Sequence, residues 1–211
     1  MVRQDPILIA APPRSGTTML AGLLHRHGVW VGRSRTTMYP GTNSNFGSEN
    51  IDIKLIFQSA AVMHNYKNWH TPFPDFGSWP SLKDQIEKFV PEDTRWLVKT
   101  SWNLIFWEFW VNAYPEARWL FPIRPTPKVV DSMNRHPGMK RHPDKQKYSY
   151  ISHLLQNQTK VADMVMHSTH VNIEQLVDLE QDVVEDLFSF LEIEADPFQL
   201  AEWLDPKMLK R

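Results

Sequence analysis

The chain has 211 residues, a formal net charge of −1 and 42% hydrophobic residues, which is enough for one α/β domain spanning residues 1–211. Cysteine is absent, which excludes disulfides and thiolate metal sites. No apolar run is long enough to span a membrane and the first strand leaves no room for a signal peptide, so we expect a cytoplasmic protein without a membrane partner.

Apolar runs and helical patterns alternate along the chain. Strands are predicted near 6–11, 96–100, 118–123 and 170–173. Helices are predicted near 16–27, 48–64, 81–89, 102–113, 126–135, 148–166 and 183–191. Three segments are predicted loops, the polar 30–47, the aromatic 65–80 and the basic 136–147. Strands separated by helices predict an α/β fold of P-loop type, with a parallel sheet of about four to five strands flanked by helices.

The first predicted strand ends in the sequence PRSGTT at 13–18. Backbone N–H groups at such a turn and at the following helix N-terminus can bind an anionic phosphate. The Walker pattern is not met, because Ala11 and Thr17 replace its first glycine and its lysine. The predicted phosphate-binding residues are therefore Arg14, Ser15, Gly16, Thr17 and Thr18. The alternative is an ordinary strand-to-helix turn in which a serine or threonine caps the helix.

A second cationic position follows the third predicted strand. Arg124 stands at the end of that strand, and Ser132 comes eight residues later in the next helix. An arginine at a strand end and a serine two turns into a helix can bind one phosphate from two sides. Taken singly, Arg124 also fits a surface salt bridge and Ser132 a solvated helix position.

The two motifs, in this order, resemble those of sulfotransferases that use 3′-phosphoadenosine-5′-phosphosulfate (PAPS). The resemblance extends to VKTSW at 98–102 and to the segment 170–193, with Glu174 at the family's glutamate position. It implies that the loop at 13–18 binds the phosphosulfate, that Arg124 and Ser132 bind the 3′-phosphate, and that the product is 3′,5′-ADP. The family's late glycine-rich basic loop has no match, and Lys207, Lys210 and Arg211 are candidates to replace part of it.

Catalysis of sulfuryl transfer requires cations around the transferred group and a base for the acceptor proton. Arg14 is expected at the leaving phosphate and Lys99, which ends the second strand, at the sulfuryl oxygens. Cytosolic members place a histidine just after the lysine–threonine pair, but Ser101 stands there. Glu49 resembles the glutamate base of the heparan sulfate enzymes, although a glutamate at a helix start is also favoured by the helix dipole. The rival bases are His64, His70, His136 and His142.

The expected acceptor is a small molecule or a carbohydrate, and nucleic acid is not an expected partner. Aromatic residues could line its site or simply pack the loop onto the core: Tyr66, Trp69, Phe73, Phe76 and Trp79. No spacing of His, Asp or Glu predicts a metal site, and the chemistry requires none. Two other functions stay open, a P-loop kinase that uses ATP and Mg²⁺, and a nucleotide-binding module without catalysis.

Overall fold

The computed structural model describes residues 4–33, 49–63, 66 and 80–204. Its sheet contains four strands, which are β1 Ile7–Ile9, β2 Leu97–Lys99, β3 Arg118–Ile123 and β4 Ser168–Asn172. The spatial order is β2-β1-β3-β4, and each neighbouring pair is parallel. The predicted α/β fold with a central parallel sheet flanked by helices is confirmed.

Helices connect the strands and cover both faces of the sheet. The described helices are α1 Thr17–Arg26, α2 Ile51–Met63, α3 Pro80–Glu87, α4 Trp102–Ile105, α5 Trp107–Ala113, α6 Thr126–Arg135, α7 Asp144–Met164, α8 Ile173–Val177, α9 Gln181–Leu191 and α10 Pro197–Trp203. Gly28, with φ of 84°, follows the end of α1 as the predicted stop. Within the described part of the chain, no helix combines the length and the apolar character that crossing a membrane demands.

The sheet separates two apolar layers. Leu8 and Val98 contribute to an aromatic-rich layer completed by α2 to α5 and α7. Ile7, Ile9 and Leu97 contribute to the other layer, beneath α1, α8, α9 and α10. The alternation along β1 follows from the two-residue period of a strand. With both faces covered, the carboxyl ends of the parallel strands are the natural place for a ligand.

One predicted helix is divided in the structure, and another begins earlier than predicted. The single helix predicted over 102–113 divides into α4 and α5 at Phe106, whose buried ring packs 4.8 Å from the ring of Phe57. The basic loop ends early, because α7 begins at Asp144 rather than at Tyr148. The charged residues 144–147 belong to its first turn, where the buried Lys147 bonds to Asn134 and to Asp144. Most of the loops predicted at 30–47 and 65–80 lies outside the described residues.

Candidate active site

The loop between β1 and α1 has the backbone of an anion site. Gly16 is the N-cap residue of α1 in a left-handed conformation, φ 83°, and no side chain caps the helix. The alternative of a serine or threonine cap is therefore wrong, and the first N–H groups of α1 are not used by a capping side chain. A Cβ on Gly16 would lie 2.6 Å from the Ile173 side chain, so only glycine fits this turn. Ser15 and Thr17 are buried and Thr18 is partly exposed.

Arg14 joins the two phosphate motifs. Its Nε donates to the Ser132 Oγ at 3.0 Å, and its own carbonyl accepts from Arg124 Nη1 at 3.0 Å. Arg14 itself is exposed and has a φ of 72°, which is rare for a residue with a side chain. The Arg124 bond therefore helps to hold a loop conformation that the backbone alone disfavours.

The surroundings of Ser132 contradict the alternative that was given for this residue singly, and those of Arg124 connect it to the loop. Ser132 is 2% exposed, so it is not a solvated helix position. Arg124 is half-buried, and its Nη1 donates to the carbonyl of the loop residue Arg14, so its guanidinium is engaged with the loop. Arg14 of the loop and Arg124 and Ser132 of the second motif thus form one cluster near the carboxyl ends of β1 and β3.

Lys99 and Glu49, both predicted to be catalytic, form an ion pair. Lys99 Nζ lies 3.6 Å from Glu49 Oε1, and the Lys99 side chain is only 11% exposed. Lys54, on the first turn of α2, bonds to the other carboxylate oxygen, Oε2. The sequence carried no signal for Lys54, because it lies five residues after Glu49 and matches no motif.

Burial and charge set the protonation of this pair. Burial by itself raises the pKa of the Glu49 carboxyl, but the charges of Lys99 and Lys54 together hold that pKa below its usual 4.5. Burial lowers the pKa of the Lys99 ammonium, a shift that Glu49 opposes and that Lys54 and Arg14 reinforce. Glu49 is therefore an ionised carboxylate at neutral pH, held among cations.

Glu49 does not belong to a helix. The helix α2 starts at Ile51, and Asn50 caps it, its Oδ1 accepting from the N–H groups of Asp52 and Ile53 at 3.1 Å each. The expectation that Glu49 sits just inside the helix start is wrong, because the capping role falls to Asn50. Its carboxylate is thus left to interact with the two lysines.

A buried amide fixes the ends of the two strands beneath this pair. Asn103 is fully buried, and its Nδ2 donates to the carbonyls of Ile9 at 3.0 Å and Val98 at 2.9 Å. Since Lys99 follows Val98 directly, Asn103 helps to hold the Lys99 backbone against the end of β1. The only sequence signal for it was a polar residue within an aromatic run.

A cleft of about 380 Å³ opens beside the loop, at the ends of β3 and β4. Ser15, Arg124 and Asn172 supply polar groups to its wall, and Val129, Ile151 and Leu155 supply apolar ones. Glu174 also lines it, but its carboxylate is paired with Lys128 at 2.7 Å. The negative charge that Glu174 brings to the cleft is therefore paired with the positive charge of Lys128.

The rival bases His136 and His142 and the aromatic candidate Tyr66 lie among the described residues. His136 follows the end of α6, where burial and the charge of Arg14 lower the pKa of its imidazole. His142 bonds to Gln146 at 3.1 Å in the basic segment. Tyr66 is buried in the aromatic layer, beside Trp102.

Nine of the predicted candidates lie outside the described residues. They are two histidines, four aromatic residues and three basic residues near the end of the sequence: His64, His70, Trp69, Phe73, Phe76, Trp79, Lys207, Lys210 and Arg211. Among the described residues, no cluster of three or more His, Asp or Glu could hold a metal ion.

The parallel fold and the glycine loop at the end of β1 define a P-loop-type α/β protein. The model of the sulfotransferase family matches residues 6–197, and the chain belongs to that family. The predicted resemblance is confirmed, and family and fold support a sulfotransferase enzyme. No curated protein sequence matches the chain significantly.

Solved structures share this fold at low sequence identity. Sulfotransferase STF1 from Mycobacterium tuberculosis H37Rv has a TM-score of 0.67 and 13% identity, covering 96% of this chain and 71% of its own. The sulfotransferase domain of the Synechococcus PCC 7002 olefin synthase has a TM-score of 0.60 and 15% identity, with coverages of 100% and 84%. The domain from the curacin biosynthetic pathway has a TM-score of 0.58 and 16% identity, with coverages of 94% and 77%.

Proposed function

We propose that this protein transfers a sulfuryl group from PAPS to a hydroxyl or amine of a small-molecule or carbohydrate acceptor. The observation that carries the proposal is the contact of Arg14 with Ser132, because it unites the phosphate loop with the second motif in one cationic cluster. Family membership supports the reaction class. The choice of donor depends on the residues of this cluster.

The cluster has the chemistry that a nucleotide with two phosphorylated positions needs. Arg124 and Ser132 supply a guanidinium and a hydroxyl for the 3′-phosphate, and the loop N–H groups with Arg14 supply donors for the 5′-phosphate. Gly16 supports this fit, since the space that its Cβ would occupy is already filled by Ile173 and a larger residue would push the loop away. The neighbouring cleft offers both polar and apolar walls for the nucleoside.

When bound, PAPS supplies the sulfuryl group, whose bond to the 5′-phosphate breaks as a bond to the acceptor forms. Arg14 neutralises negative charge that grows on the 5′-phosphate. Lys99 neutralises charge on the sulfuryl oxygens from the end of β2, where it is largely shielded from solvent. A cation in a site from which water is mostly excluded acts more strongly than one in water.

Glu49 is the proposed base. Its carboxylate is ionised at neutral pH and contacts Lys99, so the proton acceptor lies next to the cation proposed for the sulfuryl group. During transfer, Glu49 takes the proton that the attacking hydroxyl or neutral amine loses as its oxygen or nitrogen bonds to sulfur. The lowered pKa weakens the resting base, and its basicity increases when Lys99 turns from Glu49 to the sulfuryl oxygens.

Isothermal titration calorimetry with three nucleotides tests the donor. We expect 3′,5′-ADP to bind without metal and more tightly than 5′-AMP by about tenfold to over a hundredfold, the value of a charge-assisted contact of roughly 1.5–3 kcal/mol. Equal affinity for 3′,5′-ADP and 5′-AMP would overturn the assignment. Tighter binding of ADP with Mg²⁺ would indicate a kinase, and 3′,5′-ADP binding without turnover of any acceptor would indicate a binding module.

A further inference from the structure

The Glu49 carboxylate lies between two lysines that occupy different oxygens. Lys99 contacts Oε1 at 3.6 Å, and Lys54 bonds to Oε2. Lys99 belongs to the end of β2 and Lys54 to α2, so the two partners are fixed by different elements. Among the described residues, the charges that shift the pKa of Glu49 are those of Lys99 and Lys54. Asp52, in the first turn of α2, is paired with Arg33.

The two lysines differ in what else they face. Lys99 is 11% exposed and close enough to Arg14 that the charge of Arg14 lowers its pKa. Lys54 is 36% exposed and bonds to Glu49. Lys99 therefore faces both the phosphate loop and Glu49, whereas Lys54 is directed to the carboxylate.

This arrangement has a consequence for a donor-bound site. An anionic sulfuryl group near the loop attracts Lys99, and Lys99 cannot then hold Glu49 as closely. The carboxylate is about one-third exposed, and burial alone disfavours its charge. With Lys99 withdrawn, a second cation is needed to keep it ionised and correctly oriented.

We propose that Lys54 is a positioning residue for Glu49, which anchors Oε2 while Lys99 turns to the sulfuryl group and Oε1 is released to take the acceptor proton. This inference rests on the proposed function, in which Glu49 is the base. Lys54 is suited to the task because α2 fixes its backbone and Asn50 caps the first turn of that helix. In this role Lys54 contacts Glu49 and neither the nucleotide nor the acceptor.

Carboxyl ¹³C NMR of protein labelled at glutamate tests the contact without turnover. The Glu49 signal is assigned with Glu49→Gln, and its titration is compared between the unmodified protein and Lys54→Met. Removing a cation in direct contact raises a carboxyl pKa by about 1 unit or more, whereas Lys54→Arg keeps the low pKa. Lys160→Met, which removes an exposed lysine from α7, is the matched control and leaves the titration unchanged.

Kinetics with saturating PAPS test the purpose of the contact. In Lys54→Met we expect kcat to fall about tenfold, the acid limb of the pH profile to move to higher pH, and the affinity for 3′,5′-ADP to stay unchanged. Lys54→Arg restores most of the rate. A purely structural role would lower the melting temperature without moving the acid limb.

Three results would overturn the inference, and they distinguish its failure from the failure of its premise. An unmoved Glu49 titration in Lys54→Met, with Glu49→Gln inactive, refutes the role of Lys54 and leaves the base in place. Full turnover of Glu49→Gln refutes the base and the role of Lys54 with it, while 3′,5′-ADP binding still reports on the donor. A loss of 3′,5′-ADP affinity in Lys54→Met equal to the loss of rate would make Lys54 a donor ligand instead.

Discussion

Arg14 and Ser132 are separated by 118 residues in the chain, yet the Arg14 Nε donates to the Ser132 Oγ at 3.0 Å. The bond joins the loop before α1 to the middle of α6. It places a guanidinium and a buried hydroxyl side by side, with Arg124 bonded to the backbone of the same loop. A ligand that carries two phosphates can therefore replace one internal contact with contacts to both motifs.

Arg14→Ala is expected to lower turnover by about a hundredfold or more. The substitution removes positive charge where the leaving phosphate becomes more negative, and losses of this kind have that magnitude. The measurement is kcat with saturating PAPS. Arg141→Ala, which removes an exposed arginine from the basic segment, serves as the control and should retain full turnover. Unchanged turnover in Arg14→Ala would remove Arg14 from the mechanism.

Ser132→Ala is expected to weaken 3′,5′-ADP binding by about tenfold and to leave 5′-AMP binding unchanged. The lost hydroxyl would contact the 3′-phosphate, which only the first nucleotide carries. Calorimetry on both nucleotides measures the difference, and Ser149→Ala on the exposed side of α7 controls for a general serine effect. An equal loss for the two nucleotides would show that Ser132 supports the loop rather than the 3′-phosphate.

Glu49→Gln is expected to reduce turnover by roughly a hundred to ten thousandfold with little change in 3′,5′-ADP affinity, because a base contacts the acceptor and not the nucleotide. A purely structural role in the ion pair with Lys99 predicts intact turnover with a lower melting temperature. Turnover, affinity and melting temperature are measured on one preparation. Near-normal turnover would redirect the search for the base to His64, His70 and His136.

The pH dependence of activity follows from the same carboxyl. Lys99 and Lys54 hold the pKa of Glu49 below 4.5 in the free enzyme, so its ionised form is present above that pH and is lost as pH falls through the lowered pKa. We expect no loss of kcat/KM from Glu49 between pH 5 and pH 8. An acid limb near pH 6 that persists in Glu49→Gln would assign the limb to another group.

Gly22→Ala tests how the C-terminal helix packs on α1. A Cβ at Gly22 would lie 2.2 Å from the Trp203 ring, whose Nε1 donates to the Met19 carbonyl at 2.8 Å. Overpacking of this kind costs about 1–3 kcal/mol, which exceeds the gain of up to ~1 kcal/mol from replacing a helical glycine. Urea denaturation should therefore show a lower free energy of unfolding, whereas Gly138→Ala, with its nearest contact at 3.4 Å, should change it by less than about 0.5 kcal/mol. A stabilised Gly22→Ala protein would contradict this packing of α10.

Local patterns in the sequence predict much of this molecule. Strands β1, β2 and β3 follow from short apolar runs, because a buried parallel strand needs apolar side chains on both faces. The edge strand β4 has the sequence STHVN, in which only Val171 is buried. The candidate phosphate loop at 13–18 and the Arg124–Ser132 motif are visible because each is compact in the chain. Together with VKTSW at 98–102 and the segment 170–193, they carry the resemblance to the sulfotransferase family. The bounds of α6 also agree, since threonine and proline open it and a histidine and a proline follow its end.

Tertiary packing decided the rest. No glycine or proline marks Phe106, where one predicted helix divides into two. The polar residues 144–147 were predicted to be a loop, but they form the first turn of α7, in which Lys147 is buried. Asn103 binds two strand ends, and Lys54 reaches Glu49 across the start of α2. Such contacts form between side chains on different elements, and only the folded chain brings those elements together. Periodicity in the sequence shows only which face of an element is apolar. The sequence by itself determined the class of fold and predicted the phosphate-binding motifs, and only the tertiary structure decided which cations surround Glu49.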